Sequence, residues 1–141
     1  MIKELSAYLP YGLKCEITTT TDNILIEELT GFEYTTDWYA LFRGVKQGTN
    51  GVGMFGTCSL LFDRVKPILR PLNDITKEIE HNGEKVEGWE LISLSYKDAE
   101  RTVNHLKNGN WNRLSYWKVE RLFQHHFDVF GLIEKGKAIA K

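Results

Sequence analysis

Gly51-Val52-Gly53-Met54-Phe55-Gly56 matches the pattern G-x-G-x-x-G. In dinucleotide sites those glycines let the backbone approach a pyrophosphate at the start of a helix. That chemistry requires a strand directly before the pattern and a helix directly after it. Here a polar loop (45–50) precedes it, and 57–65 reads as a strand. Phe55 also imitates the glycine loop of a kinase, but the chain contains no H-R-D or D-F-G segment. Gly56 is followed by Thr57 with no lysine between, so a P-loop does not fit. The segment is expected to be a glycine-rich hairpin connection.

The four histidines are His81, His105, His125 and His126. On a continuous helix the last two would project roughly 100° apart and could not share a metal. The i, i+4 spacing of H-E-x-x-H is absent. His125 and Asp128 are three apart and form a weak ligand pair at most. Cys15 and Cys58 stand alone, without the C-x-x-C spacing of a zinc site. No serine lies in a G-x-S-x-G elbow, and the carboxylates Glu27-Glu28 and Glu78 with Glu80 read as solvated faces. The sequence therefore predicts no metal, no cofactor and no catalytic residue. A small hydrolase or transferase using His125 and Asp128 is kept as an alternative.

The remaining candidate is a mixed aromatic and basic run, Trp111-Asn112-Arg113-Leu114-Ser115-Tyr116-Trp117-Lys118, with Arg121 beyond it. Trp117 and Arg121 are one helical turn apart, which would lay the guanidinium over the indole. Exposed aromatics interleaved with cations hold single-stranded nucleic acid. The same residues also serve a helix that turns its indoles inward and lets lysines snorkel outward. The packing reading is favoured. Arg64, Lys66 and Arg70 are added to Arg113, Trp117, Lys118 and Arg121 as a candidate surface for nucleic acid or another partner.

Charge supports that grouping only in part. The net charge of −1 is the sum of alternating blocks: −5 over 1–40, +4 over 41–72, −5 over 73–100 and +5 over 101–141. A dedicated duplex binder is strongly basic as a whole, and this chain is not.

These residues need elements to position them. The 141 residues are 42% apolar and include seventeen aromatics, enough for a real core in one folded domain. No apolar run approaches the ~20 residues of a membrane span, and the first residues lack a signal-peptide core. Two cysteines suit a reducing cytoplasm better than a disulfide scaffold. Ile2, Leu5 and Leu9 predict a short helix that Pro10 stops. Period-two alternation from Leu13, then 24–29, 38–43, 59–62 and 67–70, predicts four or five antiparallel strands, with Pro67 and Pro71 marking an edge. Residues 74–78 predict a helical turn, and Asn82-Gly83 a hairpin. Helices are predicted over 97–107 and 115–127, the second with Tyr116, Val119, Phe123 and Phe127 on its apolar stripe. The expected fold is α+β: an N-terminal meander or small SH3-like barrel over 1–72, packed against hairpin and helices over 73–141 in one domain.

Four segments together carry a resemblance: Tyr8-Leu9-Pro10-Tyr11-Gly12-Leu13-Lys14, residues 65–74 (VKPILRPLND), 80–85 (EHNGEK) and 122–136 (LFQHHFDVFGLIEKG). Their order resembles a family of small uncharacterised proteins from phages and prophages of gut Bacteroidetes. The resemblance implies a phage-derived accessory protein made in a bacterial cytoplasm, and it carries no activity with it. The expected function is therefore non-catalytic binding of another macromolecule, a protein first, with single-stranded nucleic acid as the alternative and no membrane partner.

Overall fold

The alternation that begins at Leu13 does build a strand, and the sheet grows outward from it. The computed structural model describes residues 1–18, 23–34, 36–43, 57–92 and 94–141. The Gly51–Gly56 motif lies outside them. The chain divides into two compact units, Met1–Ile68 and Leu69–Lys141.

The first unit opens with α1 (Ile2–Ser6), which buries Leu5. A 3₁₀ turn at Leu9–Tyr11 follows, with Pro10 in its opening positions, where a missing N–H costs nothing. Then come β1 (Lys14–Thr18), β2 (Ile24–Tyr34), β3 (Trp38–Arg43), β4 (Thr57–Leu61) and β5 (Val65–Leu69). Their order is β4-β3-β2-β1-β5, antiparallel throughout. Cys15 and Ile17 on β1 point inward, and Cys15 stands opposite Pro67 and Ile17 opposite Val65 on β5. Each fully buried aliphatic side chain stabilises the unit by about 1.5–3 kcal/mol. β2 runs five residues beyond its expected end, because a bulge between Leu29 and Gly31 keeps it in register with β3.

The meander is as expected, but the barrel alternative is corrected. Among the described residues no pairing joins β4 to β5, so the sheet is open and lacks the closure a barrel requires. Pro67 sits inside β5, whose last residue, Leu69, accepts a 2.8 Å hydrogen bond from the Lys141 amide.

The second unit begins with a 3₁₀ turn at Leu72–Thr76 and the hairpin of β6 (Glu78–His81) and β7 (Glu84–Glu87). Asn82 and Gly83 both adopt positive φ, as a two-residue hairpin turn of matching twist requires. α2 (Gly88–Leu91), α3 (Tyr96–Lys107), α4 (Tyr116–Gln124) and β8 (Ile139–Ala140) follow. α3 buries Ala99, Thr102, Val103 and Leu106 along one stripe. With Ile75, Ile92, Leu94, Leu122, Phe127 and Val129 these residues form the core of this unit.

α4 starts where expected but differs in which residues it buries and in where it ends. Tyr116, placed on the apolar stripe by sequence, is 80% exposed, and Leu122 is the fully buried position. The helix ends at Gln124, so His125, His126 and Phe127 lie beyond it. His126 takes a left-handed conformation (φ 59°), and its carbonyl accepts from the Arg70 amide at 2.8 Å. The Asp128 amide then donates to the Arg70 carbonyl at 2.9 Å. This pairing with Arg70 puts Phe127 into the core from an extended segment rather than from a helix.

Candidate functional site

The cationic site of the second unit is a cavity of about 270 Å³ where α3 meets the start of α4. α3 supplies Asp98, Arg101 and His105, spaced three and four residues apart on one helix face. The Asn108-Gly109 sequence ends α3, with Gly109 at φ 69°, and the chain turns through a 3₁₀ segment at Trp111–Arg113. That turn brings Arg113 to the cavity, and Ser115 and Lys118 enter from the N-cap and first turn of α4. Three basic side chains, Arg101, Arg113 and Lys118, thus line the cavity with one carboxylate. Asp98 is held in place as it accepts from the Ser95 hydroxyl at 3.1 Å, while Ser95 caps α3 by accepting from the Asp98 amide. The Lys118 and Val119 amides donate to the Ser115 carbonyl at 3.0 and 3.3 Å, and Ser115 does not cap the helix with its side chain. The cavity therefore presents guanidinium, ammonium, imidazole and hydroxyl groups suited to an anion.

Beside this cavity the aromatic residues face outward. Trp111 is 43% exposed and Trp117 45% exposed, which corrects the expectation that these indoles turn inward. The reason lies in the length of α4. Its one fully buried residue is Leu122, so its first turn projects past the core that Leu122 anchors. Trp111 keeps one edge against Phe130, with ring centroids 6.1 Å apart. The cation over Trp117 is Lys118, with its Nζ 5.6 Å from the ring centre. The expected partner, Arg121, instead donates to the Gln124 side chain at 3.3 Å.

The remaining candidates are scattered. Arg70 does not reach the surface: it is 6% exposed, and its Nη2 donates to the Glu80 carbonyl at 3.3 Å and lies 3.4 Å from His81 Nδ1. Burial lowers its pKa, partly opposed by Asp74. Arg64 and Lys66 belong to the first unit, with Lys66 on β5 opposite Glu16 of β1. Of the seven residues chosen from sequence, Arg113 and Lys118 line the cavity and Trp117 lies beside Lys118. The others do not line it. Arg101 and His105 were missed as site residues, although the helical period places them on one face with Asp98.

His125 and Asp128, the alternative reactive pair, are each engaged elsewhere. Asp128 is buried, and its two carboxylate oxygens accept from the Leu132 and Ile133 amides at 2.8 Å each. It is a turn anchor. The His125 ring packs edge-on against His81, with centroids 5.6 Å apart. Burial pushes the His125 pKa down to about 4, helped by His81, Arg121, Arg70 and His126. Among the described residues, no group of three or more His, Cys, Asp or Glu is placed to hold a metal ion, and no helix is long and apolar enough to cross a membrane. No protein-family model, curated protein or solved structure matches the chain.

Proposed function

We propose that this protein binds single-stranded nucleic acid, without catalysis, through the surface of the second unit around the start of α4. The observation that carries this reading is the exposure of Trp111 and Trp117 on the same short stretch that brings Arg113 and Lys118 to a cationic cavity. Bases stack on exposed indoles while cations follow the backbone, and neither contact requires a strongly basic protein. The resemblance to phage and prophage proteins supports an accessory role in a bacterial cytoplasm.

The test is anisotropy titration of a labelled single strand against a duplex of the same sequence. Preference for the single strand is expected, with Trp117→Ala weakening it about tenfold, within the range for loss of one stacked base. Equal binding of both forms, or a Trp117→Ala variant that binds as tightly as the parent, overturns the reading.

A protein partner is the second reading, and it rests on the first unit. Ile24 (63% exposed) and Ile26 (59%) lie two apart on β2, one face of the strand. Exposed apolar groups of this kind mark interaction surfaces when they are contiguous. Ile26→Lys should abolish capture of a partner that the parent retains, and unchanged capture removes this reading.

A further inference from the structure

We propose that the cavity between α3 and the start of α4 is an end-binding pocket that takes the terminal phosphomonoester of a nucleic-acid strand. The proposal rests on the nucleic-acid reading and narrows it to a chemical group.

Charge is the first argument. Arg101, Arg113 and Lys118 set against Asp98 leave an excess of two positive charges in the lining. A phosphomonoester carries about −1.5 to −2 near neutral pH, whereas an internal phosphodiester carries a single negative charge. The lining therefore matches a strand end better than a linkage within the strand.

Shape is the second argument. The volume of about 270 Å³ falls just below the usual ~300–1,000 Å³ of small-molecule pockets. It suits a phosphate with part of its sugar rather than a continuous strand threaded through with its bases. The donors also arrive from three elements, the middle of α3, the 3₁₀ turn and the first turn of α4, so they surround a group instead of following a line. Asp98, the one carboxylate in the lining, suits a sugar hydroxyl next to the phosphate. The exposed indoles of Trp111 and Trp117, close in sequence to Arg113 and Lys118, offer faces on which neighbouring bases would stack.

The experiment compares three internally labelled single strands of one sequence: a 5′-phosphate, a 3′-phosphate and hydroxyls at both ends. One phosphorylated strand is expected to bind about tenfold tighter than the hydroxyl-ended strand, the scale of one charge-assisted hydrogen bond. The gain should shrink as pH falls through about 6, where the monoester dianion takes up a proton and becomes a monoanion. Arg101→Gln should erase the gain, with a thermal melt confirming that the variant is folded. Should it fail to fold, competition by thymidine 5′-monophosphate and thymidine 3′-monophosphate against thymidine gives the same comparison on the parent protein. Equal binding of all three strands overturns the end-binding pocket and leaves the nucleic-acid reading standing. Binding of none of them overturns both.

Discussion

The Cys15 thiol lies in β1 with no exposed surface, and the loss of water around it pushes its pKa up to about 12. A thiolate is the reactive form, so this cysteine should be inert. In a Cys58→Ser background, a thiol reagent at pH 8 should label nothing until the protein is unfolded. Rapid labelling of the native protein would contradict the buried placement. His125 carries a second prediction. Its pKa is about 4 in the fold, against an ordinary 6.5, so the unfolded chain takes up its proton first. Stability is therefore retained above about pH 6.5 and is lost progressively as pH falls from there to about 4. For a half-buried ring screened by solvent the loss is discounted to about 1–2 kcal/mol. His125→Gln should flatten the melting temperature across that window relative to the parent, and an identical pH profile would contradict the assignment. Neither effect was legible in the sequence. Cys15 reads there as one more apolar residue of an alternating strand, and His125 as a residue on a helix that in fact ends before it.

Elements were more legible where local chemistry alone decides them. Asn82-Gly83 specifies its hairpin because both residues tolerate positive φ. Asn108-Gly109 ends α3 for the same backbone reason. The burial of Tyr116 and the end of α4 differ from expectation for one reason: an apolar stripe counted along the sequence does not reveal where the core stops. Tyr116 lies beyond it, and Phe127 reaches it through the extended pairing with Arg70. Nothing in the sequence around Gly88 marks it, yet the packing makes it indispensable. Its amide donates to the Lys77 carbonyl at 2.8 Å, and a Cβ on it would stand 1.9 Å from the Asp74 carbonyl oxygen. Both neighbours are backbone, so no side chain can swing aside. Gly88→Ala should lower the stability of the second unit by about 3 kcal/mol or more, the upper part of the overpacking range. Denaturant unfolding measures it, and a loss below about 0.5 kcal/mol would show that the approach is looser than described.

For the whole molecule, the α+β class and the antiparallel strands were readable from periodicity, while the choice between open sheet and barrel and the grouping of the charges were not. The basic block over 101–141 does contribute a cationic cavity, because the turn after α3 folds Arg113 and Lys118 back towards Arg101. Arg70, from the block over 41–72, is instead consumed internally by the Glu80 carbonyl and His81. Sequence order sums charges without showing which are buried, so a near-neutral chain conceals a locally basic surface. The most direct measurement of the central claim is the salt dependence of single-strand binding. Each phosphate that the cations neutralise contributes about −0.7 to the slope of log K against log salt, so a slope clearly below zero is predicted. Trp117→Ala should lower the affinity at every salt concentration and leave that slope unchanged. A slope near zero, or binding that does not weaken when Trp117 is removed, would contradict the account.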